Sequence, residues 1–555
     1  MNSEERKKSG KPTMQPSKRS NARPTGTQDG SRRTDGVRKA SGVQQAVDRQ
    51  RAAGTQQEGR RPAAKQQPTK QQSKVKRNPQ KGALNPSSSM IHSKNDRTFK
   101  VIKVLFVLLA LSLIVWMCKL MVKDREEISS SAYNPRMNDE EQMVVRGAIL
   151  AENGEKLAYT EIQEDGSQRR VYPYGEAFAH VTGYIGHGKA GLEEAANAKL
   201  LEAPDLLDTL KSWAKEEAVL GSNVMTTIDL DLQQFIYEQL DGYKGAVVIT
   251  EPSTGKVKAL VSTPSYHPEE IIDNWENIAA NEDSPLYARA TQGLYPPGST
   301  FKMITALTLY RNLKGYEDYT YDCEGAFSIG EESISCARGN VHGHMDLADG
   351  FAYSCNGYFA GAGVEWGGDA IKDTAEYIHM GDSFGFELPQ SSSCVVVSSN
   401  DSDGLIAQTA IGQGETQITP FMLNMLTASI ANEGVLYTPY LVDRITDAEG
   451  NQIEKNLPKL WGTVMKPDEA GYLEKLMGYV TEYGTASDLW HSSCDIYGKT
   501  GTAQVDSGED HSWFTGYTKV EGKVDLAITI LIENGGAEKK AVPLAQEILY
   551  QYYGY

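Results

Sequence analysis

The chain reads as an α+β protein: one antiparallel sheet of five strands flanked by helices, preceded by a small domain and one membrane-spanning helix. Three observations predict this. Apolar runs at 245–250 and 256–262 are joined by Glu251-Pro-Ser-Thr-Gly255, a hairpin signal. Three more strand-like runs come late, at 497–504, 512–517 and 524–533, so two early strands, a helical middle and three late strands close as one sheet. Residues 101–122 form the only long apolar run among 555 residues.

From the N-terminus, the net charge of −17 conceals an asymmetry. Residues 1–100 carry 24 Lys and Arg against 7 Asp and Glu, and the rest carries 32 against 66. The first hundred residues are rich in Gln, Lys, Arg, Ser, Pro and Gly and nearly free of aromatics. Such a segment buries too little apolar surface to offset its ordering entropy, which predicts a disordered tail. Aromatic interleaving for nucleic-acid binding is missing, so the tail reads as a solvated cytoplasmic segment near anionic lipid.

The apolar core 104–118 is short for a bilayer, but Lys103 and Lys119 can snorkel and extend the span to 101–122. A cleaved signal peptide would need a short n-region; Ser129-Ser-Ser-Ala132 could serve as its site, but a hundred-residue n-region argues for an uncleaved anchor. Basic residues on the N-terminal side put that side in the cytoplasm and residues from about 123 outside.

Residues 123–225 read as a small pedestal domain. Arg146-Gly-Ala-Ile149 enters a strand, Glu152-Asn-Gly-Glu155 turns, and Gly191-Leu-Glu193 leads into an Ala-rich helix. No nucleophile–base pair occurs there. From 226 to 555 the pattern is that of the larger domain: helices over 227–240, from Ser299 to about Arg311, over 346–363, from Thr419-Pro420 to about Asn432, and over 541–553. Cys118, Cys323, Cys336, Cys355, Cys394 and Cys494 include no C-x-x-C pair. Cys323 and Cys336 are near enough in sequence for an extracellular disulfide and equally consistent with free thiols. His342-Gly-His344 is followed by no ligands at metal-site spacing, so it reads as a loop and no metal is expected.

The chemistry lies in Ser299-Thr-Phe-Lys302, just after Tyr295-Pro-Pro-Gly298. Residues i and i+3 share a helix face, so the amine of Lys302 can reach the Ser299 hydroxyl. The spacing alone is weak, since Ser73–Lys76, Ser212–Lys215 and Ser253–Lys256 repeat it. Only Ser299 is followed by Ser354-Cys-Asn356 and Lys499-Thr-Gly-Thr502. A serine nucleophile needs a base, and Lys302 qualifies if desolvation or a second cation such as Lys499 lowers its pKa. Ser354 can relay a proton and Asn356 can hold substrate and lysine. Lys499, Thr500 and Thr502 can bind a carboxylate, and Gly501 admits a close backbone. The backbone N–H groups of Ser299 and Thr502 are the expected oxyanion donors. A second S-x-N, Ser398-Ser-Asn400, sits in a Ser/Asp-rich loop and is the weaker candidate.

This ordered trio resembles that of the penicillin-binding proteins and serine β-lactamases, and the chain from about 130 to 550 is similar to class B penicillin-binding proteins. Pro297-Gly-Ser-Thr-Phe-Lys302, Ile411-Gly-Gln-Gly414 before Thr419-Pro420, Gly484-Thr-Ala486 and Lys499-Thr-Gly-Thr-Ala503 carry the resemblance. Arg146-Gly-Ala-Ile149 and Asn153-Gly154 match the membrane-proximal element, where Ala151-Glu152 replaces the usual Asp-Arg. The resemblance implies a transpeptidase domain of the penicillin-binding type. It implies peptidoglycan stem peptides ending in D-Ala-D-Ala as substrate, β-lactams as trapping mimics, no cofactor, and a multi-span glycan polymerase as membrane partner. The rival readings are a D,D-carboxypeptidase or β-lactamase-type hydrolase, and a silent scaffold or β-lactam sensor.

Overall fold

Residues 89–122, 144–202, 218–312, 319–330, 332–505, 508–536 and 540–554 are described by a computed structural model. The tail up to residue 88, Ser129–Ala132, Ser73–Lys76 and Ser212–Lys215 lie outside them.

Five strands form the central sheet: β1 (Gly245–Glu251), β2 (Lys256–Thr263), β3 (Asp495–Ala503), β4 (His511–Val520) and β5 (Lys523–Ile532). Their spatial order is β2-β1-β5-β4-β3, and every pair is antiparallel. The expected sheet is thus the observed one, with each strand within a few residues of its sequence estimate. β1 is buried at six of seven positions and β2 at seven of eight, so helices must cover both faces. Alternation along β4 shows which. Thr515 and its neighbour Thr529 meet a buried helix over Pro420–Ala431, with Thr427 Oγ1 2.7 Å from Thr515 Oγ1. Ser512 and Thr518, an odd number of residues away, meet the C-terminal helix Ala541–Tyr553 on the other face. A helix over Leu230–Gln239 packs beside that C-terminal helix and is capped by Asp229, whose side chain accepts from Leu232 N.

Asn424 ties Pro420–Ala431 to the sheet, taking a hydrogen bond from Thr250 Oγ1 (2.7 Å) and donating to Val248 O (3.1 Å). Thr419 caps this helix and Pro420 opens it, as their sequence order predicts.

A second, six-stranded sheet runs Gln452–Lys455, Val442–Thr446, Asn223–Thr226, Ile149–Leu150, Lys156–Ile162, Gln168–Val171. Two of its strands come from beyond residue 440, so the regions that the sequence divides at 225/226 share one sheet. Its anchor is Glu193, fully buried, which accepts from Arg146 Nε at 2.5 Å and Arg170 Nε at 2.7 Å. Arg170 also donates to Gly147 O at 2.7 Å, and Arg146 to Asn197. Glu152, the departure from the family pattern, pairs with Lys256 and Lys258 of β2, and its N–H donates to Ile228 O.

The apolar helix spans Ser89–Val122, twelve residues longer at its start than 101–122, so part of the expected coil is helical. Among the described residues it is the one helix long and apolar enough to cross a membrane, with every side chain from Phe99 to Trp116 exposed. This is compatible with membrane anchoring.

Burial pushes the Glu193 carboxyl up, but Arg170 and Arg146 outweigh it and hold the group below its ordinary value. A lowered folded pKa adds stability above the unfolded carboxyl range, and that stability is lost as pH falls through the folded value. Glu193→Ala should cost about 3–5 kcal/mol at neutral pH, because two guanidinium groups stay buried without their carboxylate. Urea unfolding of wild type and variant checks this, and the gap between them should shrink at acid pH.

Candidate active site

Ser299 does not sit on the α-helix itself. Gly298–Phe301 form a 3₁₀ turn that runs directly into the helix Lys302–Asn312. At three residues per turn, Ser299 and Lys302 are in line, a tighter alignment than the α-helical spacing predicts. Ser299 is half-buried and Lys302 fully buried. Two backbones brace the turn. Gly298 N donates to Gly412 O at 2.9 Å, and a Cβ on Gly298 (φ +51°) would lie 2.3 Å from Thr502 O. The Gly412 of the G-Q-G element is equally tight, its added Cβ falling 2.1 Å from Gly298 O. Trp513 Nε1 donates to Pro296 O at 3.2 Å.

The expected helix over 346–363 is broken. Leu347–Ala352 and Asn356–Trp366 are separate helices, and Ser354 between them has φ +57°. That left-handed residue, uncommon for serine, turns its carbonyl and hydroxyl toward the lysines while Cys355 caps the second helix with its sulfur inward. Cys355 is fully buried, its sulfur accepting from Tyr358 N and lying 3.8 Å from the sulfur of Cys336.

Lys302 Nζ donates to Ser354 O at 2.8 Å, Ser354 Oγ at 3.2 Å and Asn356 Oδ1 at 2.7 Å. Lys499 Nζ donates to the same Ser354 Oγ at 3.0 Å and to Thr500 O at 3.0 Å. One serine hydroxyl therefore stands between two buried amines whose hydrogen-bond partners here are all neutral oxygens. Phe359 and Phe351 lie beneath Lys302 and Lys499, their ring centroids 5.6 and 5.5 Å away. Burial lowers Lys302 to about 7. Burial and then the charge of Lys302 push Lys499 well below its ordinary value. Of the two causes offered by the sequence, burial is the one that lowers Lys302, and the second-cation effect falls on Lys499 instead.

Lys499–Thr502 lie on β3, the edge strand beside the Ser299 turn, with Lys499 paired to Thr515 and Gly501 to Trp513. Thr500 is half-buried and Thr502 exposed. Gly501 differs from expectation: an added Cβ would meet Thr300 Cγ2 at 2.8 Å and Trp513 Cβ at 2.9 Å, so the missing side chain makes room for the protein's own packing. Thr485 is a residue that sequence reasoning left without a role. Its Oγ1 lies 2.6 Å from Thr500 Oγ1, and its N–H donates to Ala352 O at 3.0 Å, joining β3 to the helix before Ser354. Its signal was the Gly484-Thr-Ala486 match.

The rival motifs separate from the site. Ser398 bonds Asp401, Asn400 N donates to Ser398 Oγ, and Lys256 pairs with Glu152. Cys323 and Cys336 are free thiols with sulfurs 3.6 Å apart, and His342 joins them instead of forming an isolated loop pair with His344.

Sheet, 3₁₀ turn, hydroxyl shared by two lysines and open edge strand define a serine acyl-transfer domain of the penicillin-interacting type. The chain belongs to the penicillin-binding protein transpeptidase family: residues 245–553 match the penicillin binding protein transpeptidase domain, and 146–224 the penicillin binding protein A dimerisation domain. It is 31% identical to the peptidoglycan D,D-transpeptidase PbpA of Mycolicibacterium smegmatis, across 73% of this chain and 87% of that one. It is 28% identical to the peptidoglycan D,D-transpeptidase MrdA of Acinetobacter baumannii, across 71% and 67%. Among solved structures it resembles the imipenem acyl-enzyme complex of penicillin-binding protein A from M. tuberculosis (TM-score 0.66, 28% identity, 75% of this chain and 100% of that one). It also resembles a D,D-transpeptidase domain from Eggerthella lenta (TM-score 0.66, 30% identity, 74% and 98%).

Gly298→Ala should lower the melting temperature, because neither Thr502 O nor the turn can give way without moving Ser299. Gly330→Ala, where an added Cβ has open space but φ is +58°, is the control for backbone strain alone and should cost less.

Proposed function

We propose that this chain is a peptidoglycan D,D-transpeptidase that works through a Ser299 acyl-enzyme. The observation that carries the reading is the Ser354 hydroxyl held between the buried amines of Lys302 and Lys499 beside the Ser299 turn.

Neutral Lys302 takes the proton of Ser299 Oγ as that oxygen attacks the carbonyl of the penultimate D-Ala. The backbone N–H groups of Ser299 and Thr502 receive the oxyanion. The proton passes through Ser354 to the departing amine as the C–N bond breaks, and the terminal D-Ala leaves. Lys499, Thr500 and Thr502 hold its carboxylate. Asn356 binds substrate and fixes Lys302, and the free edge of β3 lets an extended stem peptide lie along the strand. An amine from a second stem peptide then attacks the ester, gives up its proton by the same route, and restores Ser299. A β-lactam imitates the dipeptide and remains as the acyl-enzyme. The apolar part of the helix Ser89–Val122, over 101–122, anchors the chain with residues 1–100 in the cytoplasm and the catalytic domain outside, beside a multi-span glycan polymerase.

Labelling of the purified protein with fluorescent penicillin, followed by intact mass, tests the reading. A stable one-to-one adduct in wild type and none in Ser299→Ala is expected. Rapid turnover of the drug would make the chain a hydrolase, and no adduct would make the site silent. Because the free amine is the base, the acylation rate should rise with pH through about 7 and level off above it. Lys302→Arg, which stays protonated, should slow acylation about 10²–10⁴-fold.

A further inference from the structure

The helix Pro467–Glu482 and β3 lie side by side, tied by Thr481 Oγ1 donating to Ile496 O at 2.6 Å and, nearer the catalytic lysines, by the contact of Thr485 with Thr500. Around the first tie the two elements frame a cleft of about 750 Å³, large enough for a small molecule or for one end of a longer one. Tyr479 of the helix, Tyr497 of β3 and Trp490 of the loop between them line it. Trp490 is 60% exposed, yet its place is fixed. Leu489 and His491 on either side of it are buried, its N–H donates to Gln546 Oε1 at 2.7 Å, and its carbonyl accepts from Gln546 Nε2 at 2.6 Å. A large apolar ring held in water adds little to the core of its own fold.

A row of aromatic rings runs from this cleft to the catalytic loop. Tyr479 meets Tyr483 with ring centroids 5.5 Å apart, and Tyr483 meets Tyr353, the residue before Ser354, at 5.9 Å. Tyr483 Oη also donates to Asp349 Oδ1 at 3.5 Å. Trp490, Tyr483 and Tyr353 are three of the five aromatic side chains exposed beyond residue 122 among the described residues, Tyr287 and Tyr550 being the others. Single exposed aromatic residues are ordinary on a protein surface, whereas a run of them that ends beside a catalytic serine marks a binding surface.

We propose that the cleft and the row form a saccharide subsite, which holds the chain of N-acetylated amino sugars that carries the stem peptide while the peptide itself lies along β3. A pyranose ring has two apolar C–H faces, which pack on flat aromatic rings, and a rim of hydroxyls and amides, which need hydrogen-bond partners. Both kinds of partner occur here, the rings along the row and the side chains of Ser492, Ser493, Glu482 and Asp495 at the cleft. The charges favour a neutral ligand. Lys475 and Lys519 line the cleft with Glu482, Asp495 and Glu521, and Lys519 is already paired with Glu474 at 2.5 Å, so there is no surplus of cations to attract an anion. The order along β3 fits as well. Ile496 at the cleft and Thr500 at the substrate carboxylate are four residues apart on one strand, a distance of about 13 Å. The natural identity of the saccharide rests on the transpeptidase reading above; the binding of an amino-sugar oligomer does not.

The test titrates the full-length chain in detergent with β-1,4-linked oligomers of N-acetylglucosamine, read by tryptophan fluorescence and by calorimetry. Wild type and Ser299→Ala should both bind saturably. Trp490→Ala should bind at least about tenfold more weakly, and Leu457→Ala, at an exposed residue outside the cleft, as tightly as wild type. Lengthening the oligomer from two sugars to six should tighten binding in wild type and not in Tyr483→Ala, because only the longer chain reaches along the row. In cross-linking assays Trp490→Ala should erase the KM advantage of glycan-linked over free stem peptides. No saturable binding by wild type, or equal binding by Trp490→Ala, overturns the subsite. Binding of free stem peptide at the cleft with none of the oligomer overturns it too, and makes the cleft a peptide site. An affinity in wild type that ignores oligomer length overturns the part played by the row. Because binding is read in Ser299→Ala as well, failure of the nucleophile assignment and failure of the saccharide subsite give different results.

Discussion

A lysine amine without a carboxylate is costly to bury, and this fold buries two of them around a single serine hydroxyl. Desolvation alone would favour neutral amines, and mutual repulsion adds to it. The protein accepts that cost where it is useful, since Lys302 shifted to about 7 is a base at ordinary pH. Partial compensation comes from Ser354 O, Asn356 Oδ1 and Thr500 O, and from the faces of Phe359 and Phe351. The arrangement holds only while three chain segments distant in sequence keep their places, which is the task of everything around it.

Rigidity is supplied by close backbone contacts more than by side chains. Gly298, Gly412 and Gly501 occur where another atom already occupies the space of a Cβ. Together they press the 3₁₀ turn, the loop before Pro420 and the edge strand into one unit. Pro420–Ala431, buried along its whole length, carries that unit on the sheet through Asn424 and Thr427. The Thr427 hydroxyl and the Asn424 amide of this apolar helix find partners on β1, β4 and β5, so these buried polar groups also fix the register of helix on sheet.

Much of this was legible in the sequence because it is local. The hairpin turn at 251–255, the Thr419-Pro420 start and the i, i+3 spacing of Ser299 and Lys302 each lie within a few residues. What was not legible depends on distance or on strain. Nothing local marks Ser354 as left-handed, so the sequence pattern runs as one helix over 346–363 where the structure has two. Cys323, Cys336, His342 and Cys355 are spread over three strand ends and a helix cap, and only strand pairing brings them together. Gln452–Lys455, exposed at all four positions, shows no buried face in its sequence pattern, which hid its place in the second sheet. Gly501 is expected to admit a close substrate backbone, whereas the groups that crowd its Cβ position are Thr300 and Trp513 of the protein itself.

The shared second sheet also orders events in time. Asn223–Thr226 pairs on one side with Ile149–Leu150 and on the other with Val442–Thr446. At about 5–20 residues per second, the later strand leaves the ribosome on the order of ten seconds or more after the earlier ones. Through that interval the nascent pedestal presents an open edge, the kind of surface that pairs with strangers. Completing it requires the middle of the catalytic domain to have been made and brought back, so the two regions mature together and the membrane-proximal part cannot finish first.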